Sequence, residues 1–307
     1  MRRVLVLGNA TIDIVLEVDR LPAPGETLLA GGILRCAGGK GLNQAIAAAR
    51  AGSSAQVRTS LIASIGDDAD AAYLRSVVER EACGLTAQWL VTDLPTDVST
   101  IWVAPSGQNT IVSSAACARA LPPSQVPELL VSLAPGDLLL LQGNLTAPTS
   151  LAAMRRGRAS GAQIVLNTAP IDWDMREAVA LADVVIANEP EALALTGAEA
   201  DAAVRALQAF GPAVAVLTRG EHGALVAEGQ NVTAIPAPKV VAVDAAGAGD
   251  VMVGALAAEL AARRPVTEAV ALAVAAASLS VTRRGTVPSF PTSSEIESLR
   301  ARIETRR

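Results

Sequence analysis

A run of small residues that ends in an aspartate is the part of this sequence best suited to chemistry. The loop Asp244–Asp250 reads Asp-Ala-Ala-Gly-Ala-Gly-Asp and precedes the helix-forming stretch Val251–Leu260. Gly247 and Gly249 let the backbone approach a ligand, and unpaired N–H groups at the first turn of a helix attract anions. Asp250 either stabilises the helix N-terminus, by about 0.3–1 kcal/mol, or accepts a proton from a hydroxyl as phosphate is transferred. On this loop alone the first interpretation is favoured.

The commoner nucleotide and acid–base motifs fail on spacing or composition. A dinucleotide fingerprint that starts at Gly247 needs a glycine at position 252, which is Met252. In Gly38–Gly41, Lys40 is followed by glycine rather than by the Ser or Thr of a Walker motif. His222 is the only histidine, which excludes histidine triads and multi-histidine metal sites. Acid or base chemistry therefore falls to a carboxylate.

Composition limits the remaining classes of function. The chain has 307 residues, of which 51% are hydrophobic, enough to bury a large core. A net charge of −5 and an aromatic content of 2% argue against nucleic acid as a partner. Three widely spaced cysteines fit a reducing compartment. Neither Val4–Leu7 nor Ala269–Ala277 is long enough for a signal sequence or a membrane span, so we expect a cytoplasmic protein with no membrane partner.

The order of apolar runs predicts the fold class. Runs typical of buried strands are separated by helix-length segments, a pattern that indicates an α/β fold with a mostly parallel sheet flanked by helices. The predicted strands are Val4–Leu7, Leu61–Ile65, Leu138–Leu141, Ile164–Leu166, Val184–Ile186 and Ala213–Leu217. The predicted helices are Asp68–Ala82, Thr149–Ala159, Glu199–Phe210, Asp250–Arg263, Val266–Val281 and Ser293–Arg306. A β-prone run, Val240–Val243, predicts a strand just before the glycine loop.

Two stretches break this alternation and predict antiparallel hairpins. Ile12–Val18 and Thr27–Leu34 flank a turn rich in proline and glycine, and Ser99–Val103 and Thr110–Ser113 flank Pro105–Gln108. A lone hairpin is marginally stable in water, so the two are expected to pair into a small sheet. We therefore predict a single domain over residues 1–307, with a β-sheet lid formed by insertions at about 13–35 and 97–113.

Three motifs taken together resemble the ribokinase family, the phosphofructokinase-B type of carbohydrate kinases. They are Gly8–Asp13 with Pro24–Thr27, Gly38–Ala45, and Val243–Gly254. The resemblance runs from about Val4 to Pro291 and is closest to the ribokinase branch. It implies a three-layer fold and an ATP-dependent transfer of phosphate to a primary hydroxyl of a sugar. In such an enzyme Asp250 is the base, and the amides of Gly247, Ala248, Gly249 and Asp250 hold the transferred phosphoryl group.

The resemblance also implies where the sugar binds. The implied sugar-binding residues are Thr11, Asp13, Gly39, Lys40, Asn43, Asn144 and Asp250. From residue chemistry alone, Asp13 is equally a turn cap and Lys40 a solvated lysine. Asn144 stands where ribokinases carry a glutamate, and an amide does not reproduce the bonds of a carboxylate. With Thr11 in place of an asparagine, Ala245 in place of a threonine and a changed Ala116–Ala118, D-ribose is not expected to be the sole substrate.

The nucleotide and metal sites are likewise implied by the resemblance. The implied nucleotide contacts are Asn188, Thr218, Gly220 and Gly249, and Asn188 and Glu191 are implied to organise Mg²⁺ through water. The positions that match a monovalent-cation site are Asp244, Ala246, Ser280, Gly285 and Ser289, so potassium activation is a hypothesis. A homodimer through the lid is expected. A nucleoside kinase of the same fold and a catalytically silent sugar or nucleotide sensor remain as alternatives.

Overall fold

The structure is a computed structural model, and it describes residues 2–81, 83–105 and 109–305. The strands are β1 (Arg3–Leu7), β2 (Thr11–Glu17), β3 (Gly32–Gly38), β4 (Arg58–Ile65), β5 (Leu85–Val91), β6 (Val98–Val103), β7 (Asn109–Ser113), β8 (Leu138–Leu141), β9 (Gln163–Asn167), β10 (Val184–Asn188), β11 (Val214–Thr218), β12 (Ala224–Glu228) and β13 (Asn231–Ile235). The helices are α1 (Lys40–Gly52), α2 (Ala69–Arg80), α3 (Ala116–Arg119), α4 (Val126–Leu129), α5 (Ala147–Ser160), α6 (Arg176–Leu181), α7 (Glu189–Thr196), α8 (Ala200–Ala209), α9 (Ala248–Ala261), α10 (Val266–Ser280) and α11 (Ser293–Thr305).

A nine-stranded sheet forms the centre of the molecule, in the order β13-β12-β11-β10-β9-β8-β1-β4-β5. Strands β11 to β5 in that order are parallel, and only β12 and β13 join antiparallel. The apolar run Leu138–Leu141 is buried along its whole length, as expected where helices cover both faces of a parallel sheet. The predicted apolar runs all lie in strands, except that Ala213 precedes β11 by one residue.

Helices cover both faces of this sheet, so the predicted three-layer α/β fold is confirmed. One apolar core contains residues of α1, α2, α9, α10 and α11, and the other contains residues of α3 to α8. In the first core, α1 and α9 pack so closely that a Cβ added to Gly254 would lie 2.4 Å from the Gln44 carbonyl oxygen. The predicted helices are confirmed over their described residues, although α9 begins two residues before the expected start at Asp250. Ala82 and Arg306, the predicted ends of two helices, lie outside the described residues. None of the helices within the described ranges is long and apolar enough to cross a lipid bilayer.

The direction of strand addition reverses between β1 and β8. From β1 the chain adds β4 and β5 on one side, and it then returns to add β8, β9, β10 and β11 on the other. In open α/β sheets, ligands bind outside the carboxyl ends of the strands at such a reversal. The ends of β1 and β8, at Gly8–Asn9 and Gln142–Asn144, therefore mark the expected site.

The two predicted hairpins form a separate four-stranded sheet in the order β3-β2-β6-β7. Pro105 lies in a turn, whereas residues 106–108 of the predicted second turn lie outside the described residues. Buried Asp97 accepts hydrogen bonds from the Ser114 hydroxyl (2.9 Å) and from the amides of Cys117 (3.3 Å) and Ala118 (2.9 Å). One carboxylate thus joins the chain entering β6 to the chain leaving β7.

Two predicted elements differ from the structure. The predicted strand Thr27–Leu34 overlaps β3 (Gly32–Gly38) only at residues 32–34, because Gly32 already pairs with Glu17, the last residue of β2, and residues 27–31 lie beyond the end of that strand. Val240–Val243 forms no strand. The side chains of Val240, Val241 and Val243 are 43%, 84% and 54% exposed. The amides of Val243 and Asp244 both donate to the Val281 carbonyl, at 2.7 and 3.1 Å, rather than to a neighbouring strand. β-propensity describes how a side chain packs on a half-buried sheet, and this segment pairs with none of the described strands.

Candidate active site

The N-termini of α1 and α9 meet beside the carboxyl end of β1. Asp250, the third residue of α9, is buried with 7% of its surface exposed. Its Oδ2 accepts a hydrogen bond from Asn43 Nδ2 at 2.9 Å, and its Oδ1 accepts one from Gln44 Nε2 at 3.0 Å. Two neutral amide donors thus orient the carboxylate, and no cation satisfies it in the ion pairs described. An oriented carboxylate at a helix N-terminus suits proton acceptance next to an anion.

A second buried carboxylate, Asp13, lies on β2 of the small sheet and is 5% exposed. Thr11 Oγ1 donates to its Oδ1 at 2.9 Å, and a Cβ on Gly38 would lie 2.0 Å from its Oδ2. Burial raises the pKa of Asp13 to about 6, and nearby Asp250 adds to the rise, whereas the bond from Thr11 and the charge of Lys40 oppose it. Asp13, Asp250 and Lys40 therefore share one electrostatic environment.

The glycines of the two motifs have different roles. Gly247 has a φ of +76°, and a Cβ there would lie 2.7 Å from Phe290 Cε1, so the turn itself requires this glycine. Gly39 has a φ of +88°, and its Cβ would lie 2.8 Å from the Thr11 amide nitrogen, so it allows α1 to pack against β2. Around Gly249 a Cβ would meet nothing within 4 Å. Of these three glycines, only Gly249 has open space beside it, in front of the first amides of α9.

The amides at the start of α9 are the candidate phosphate donors. The Ala248 amide already donates a long bond of 3.3 Å to the Ala245 carbonyl. The amides of Gly249 and Asp250 occupy the second and third helical positions, which have no partner within a helix. Of the four predicted donors, these two are the best placed to bind an anion.

Three amide side chains that the sequence did not single out form a network that reaches Asp250 through Gln44. Gln44 Nε2 also donates to Asn167 Oδ1 at 3.0 Å, and Gln142 Nε2 donates to Gln44 Oε1 at 2.9 Å. Gln44 and Gln142 are 0% and 1% exposed, and Asn167 is 7% exposed. The signal for Gln44 was its position next to Asn43 on α1, and Gln142 and Asn167 stand at strand ends like the residues that were predicted.

Two predicted sugar contacts carry unpaired acceptors. Asn43 Oδ1 and Asn144 Oδ1 are both buried and have no hydrogen-bond partner among the described residues. A buried acceptor without a partner is unfavourable by about 1–3 kcal/mol, which a ligand that donates hydrogen bonds would relieve. With the carboxylates of Asp13 and Asp250, Asn43 Oδ1 forms an acceptor-rich cluster suited to hydroxyl groups. Asn144 lies two residues beyond Gln142, at the carboxyl end of β8.

The ends of β10 and β11 hold the predicted nucleotide and metal residues. Asn188 caps α7. Its Oδ1 accepts a hydrogen bond from the backbone amide of Glu191 at 2.8 Å, and its backbone amide donates to Glu191 Oε2 at 3.2 Å. Thr168 Oγ1 also donates to Glu191 Oε2, at 2.8 Å. The described hydrogen bonds to Glu191 all come from neutral donors, so its charge remains available to the waters of a hard cation. Thr218 pairs with Asn188 across the strands, and Gly220 begins the turn that follows.

The predicted monovalent-cation residues lie where the glycine loop meets the chain that follows α10. Asp244 accepts from the amides of Ala246 and Gly285, both at 2.9 Å. The hydroxyls of Ser280 and Ser289 donate to the carbonyls of Ala277 and Thr286, both at 2.8 Å. A hydroxyl that donates its proton keeps its lone pairs, so each serine has both a hydroxyl and a carbonyl oxygen with which to ligate a cation. The Ser280 carbonyl already accepts a bond of 3.0 Å from the Arg283 amide.

Comparison with known proteins gives concordant matches. Residues 1–293 match the model of the pfkB family carbohydrate kinases. The chain is 32% identical to a ribokinase of Haemophilus influenzae over 96% of this chain and 97% of that one. It is 31% identical to a deoxyribokinase of Salmonella typhimurium over 94% and 95%. The structure of an Arabidopsis thaliana ribokinase complexed with ribose and ATP superposes with a TM-score of 0.82, at 25% identity over 97% and 98%.

Proposed function

Because this chain belongs to the pfkB family of carbohydrate kinases, it is a phosphotransferase that acts on a sugar hydroxyl, and we propose that its acceptor is a pentose or other furanose. ATP donates the γ-phosphoryl group, and a primary hydroxyl receives it. The observation that carries the proposal is the buried Asp250 carboxylate, held at both oxygens beside the open N-terminus of α9. The relatives named for ribose and deoxyribose support a five-carbon acceptor.

Asp250 is the proposed general base. As the acceptor oxygen bonds to the γ-phosphorus and the bond from that phosphorus to the leaving ADP oxygen breaks, the hydroxyl proton passes to the Asp250 carboxylate. Phosphoryl transfer asks the protein mainly to position the reactants and to neutralise charge. The amides of Gly249 and Asp250 are placed to bind the transferred group, with Gly247 and Ala248 shaping the turn. A general base of this kind contributes about 10²–10⁴ in rate.

The acceptor-rich cluster selects the sugar. Asp13, Asn43 and Asn144 offer oxygen acceptors, and Lys40, Gly39 and Thr11 complete the wall around Asp13. A polyol with adjacent hydroxyls donates to these oxygens, whereas an anionic sugar acid would meet two carboxylates. Asn144 in place of a carboxylate predicts weaker discrimination at one hydroxyl, because a site built on hydroxyl pairing depends strongly on each partner. The 2-hydroxyl is the natural candidate, since relatives are named for both ribose and deoxyribose.

The nucleotide is proposed to bind at the carboxyl ends of β10 and β11. Thr218 and Gly220 contact ATP, and Asn188 and Glu191 orient waters around Mg²⁺. When bound, Mg²⁺ neutralises charge on the phosphates. The capping box fixes Glu191 before any ligand binds, so its carboxylate need not be reoriented. Potassium is proposed to bind near Asp244, through oxygen atoms of Ala246, Ser280, Gly285 and Ser289.

The four-stranded sheet is proposed to act as a lid and as the contact in a homodimer. Closure over the sugar would exclude water and suppress hydrolysis of ATP. The outer part of the sheet exposes Ile33 (72%) and Val112 (61%) on one face and Ile111 (56%) on the other. Exposed apolar residues grouped in this way are typical of an association surface. Ile33→Lys should lower the mass measured by light scattering from that of a dimer towards that of a monomer.

The test is a coupled ADP-release screen of the purified protein with Mg²⁺ and K⁺. The acceptors are D-ribose, 2-deoxy-D-ribose, other pentoses, hexoses and nucleosides. We expect the highest kcat/KM with a pentose. A nucleoside as the best acceptor would favour the nucleoside kinase alternative, and calorimetric binding without ADP release would favour the sensor. Asp250→Asn should lower kcat by orders of magnitude while sugar binding persists, and unchanged turnover in that variant would remove Asp250 from the base role.

A further inference from the structure

The amide network of Gln44, Gln142 and Asn167 has no role in the proposed reaction, although both glutamines are almost completely buried. Gln44 is 0% exposed, so it reaches the chemistry only through its neighbours. Its Nε2 bridges Asp250 Oδ1 and Asn167 Oδ1, both at 3.0 Å. We propose that Gln44 is a positioning residue that holds the Asp250 carboxylate in the orientation needed to receive the proton. The inference rests on the proposed function, because it presupposes that Asp250 is the base.

The orientation of the Gln44 amide is itself determined by its surroundings. Its two N–H groups have two acceptors, Asp250 and Asn167, and its Oε1 accepts from Gln142 Nε2 at 2.9 Å. The opposite orientation of the amide would place an oxygen against the Asp250 carboxylate. Gln142 is held in turn against Gly8, where an added Cβ would lie 2.1 Å from Gln142 Oε1. The acceptors Asp250 and Asn167 on one side and the donor Gln142 on the other thus determine that Nε2 of Gln44 faces the base.

The contact matters because an aspartate carboxylate turns readily about its last torsion angle, for which the rotamer preference is broad. Asn43 holds Oδ2 and Gln44 holds Oδ1, so the plane of the carboxylate is defined by two donors on adjacent residues of one helix. Asn43 also offers its Oδ1 to the sugar, so this side chain has to satisfy the ligand as well as the base. Gln44 is the donor dedicated to the base. A misplacement of about 1 Å can lower a rate by about 10²-fold.

The test is a double-mutant cycle between Gln44→Met and Asp250→Asn. Methionine keeps the length and approximate volume of glutamine and removes the donor. In the wild-type background, Gln44→Met should lower kcat by about 10- to 100-fold, with KM for sugar and ATP within about twofold. In the Asp250→Asn background, the same change should have little further effect, because residues that act through one another are not additive.

The outcomes separate positioning from a general loss of structure. Equal losses in both backgrounds, or an unchanged kcat in Gln44→Met, would overturn the role of Gln44 while leaving the base role of Asp250 intact. High turnover in Asp250→Asn alone would instead remove Asp250 from the base role on which this inference rests. Thr149→Val is the matched control: it removes a buried hydrogen bond of 2.7 Å to the Leu121 carbonyl, on a different helix. It should lower Tm without lowering kcat.

A second variant covers the case in which Gln44→Met does not fold. Gln142→Met removes only the bond that orients Gln44 and does not touch Asp250. This variant should also lower kcat, by a smaller factor than Gln44→Met and only when Asp250 is present. A loss of equal size in the Asp250→Asn background would contradict the proposal.

Discussion

Gly247 and Gly249 are two residues apart, yet the structure predicts opposite consequences of changing each to alanine. At Gly247 the φ of +76° disfavours any residue with a Cβ by about 1–2 kcal/mol. The added Cβ would also lie 2.7 Å from Phe290 Cε1, roughly 1 Å inside an ordinary carbon–carbon contact of about 3.5–4.0 Å. Phe290 is only 2% exposed and has little room to move. Overpacking of this kind adds about 1–3 kcal/mol.

Gly247→Ala should therefore lower the free energy of unfolding by about 2–5 kcal/mol, the sum of these two effects. At about 2–4 °C for each kcal/mol in a large domain, Tm should fall by roughly 4–20 °C. Gly249→Ala has no such penalty, since its Cβ would meet nothing within 4 Å and alanine is the better helix former by about 1 kcal/mol. Its Tm should stay the same or rise.

Activity should respond in the reverse order. The methyl group of Gly249→Ala would occupy the space in front of the two free amides, where the transferred phosphoryl group is proposed to lie. Removing one donor of this kind lowers kcat by about 10²–10³, so Gly249→Ala should lose at least an order of magnitude in kcat/KM for ATP. The folded Gly247→Ala variant, assayed well below its Tm, should retain more activity than Gly249→Ala. Differential scanning calorimetry and initial rates of ADP release measure both quantities. Full activity in a stable Gly249→Ala would refute the assignment of these amides to the phosphoryl group.

Three further predictions concern charge. Burial raises the pKa of Asp13 from 3.8 to about 6, so its contribution to stability is fully present below pH 4 and is lost as pH rises through 6. Between pH 4 and 7, the free energy of unfolding measured in urea should fall by up to about 3 kcal/mol more in the wild type than in Asp13→Asn. The same pH dependence in both proteins would contradict this. Glu259 (3% exposed) pairs with Arg300 (12%), so Glu259→Gln should lower the unfolding free energy by about 3–5 kcal/mol without changing kcat; an unchanged urea midpoint would show that the pair contributes little. Initial rates should be higher in potassium than in sodium or caesium chloride, and Asp244→Asn should reduce the difference; identical rates in the three salts would remove the cation site.

The main sheet was predictable because its signals are local. A run such as Leu138–Leu141 is apolar on both faces, and only a strand between two helical layers buries it completely. The capping box of Asn188 and Glu191 is likewise contained within four residues. The expected strand at Val240–Val243 failed for the opposite reason: its valines suit a strand, but strand formation depends on a neighbour that the local sequence does not reveal.

The site was predictable in its parts but not in its contacts. Asp250 and Asn43 were singled out by motif, whereas the bond between them depends on how closely α1 packs against α9. That distance is set by Gly254, where any Cβ would meet the Gln44 carbonyl. Gln44 and Gln142 were missed because a buried glutamine has no distinctive sequence pattern, and its importance lies in which atom it faces. Likewise, Gly247 and Gly249 look equivalent in sequence and differ only in what surrounds them.

The packing of α1 against α9 also determines when the enzyme can first become active during its synthesis. Asn43 and Asp250 are separated by 207 positions in the chain, so at about 5–20 residues per second roughly 10–40 s pass between their emergence from a ribosome. During that interval the small apolar residues of α1, among them Ala47 and Ala48, have no α9 to cover them. A nascent chain at this stage exposes the apolar face of α1 and does not yet contain Asp250. Chaperone binding to α1 during this time would protect the helix until α9 is synthesised.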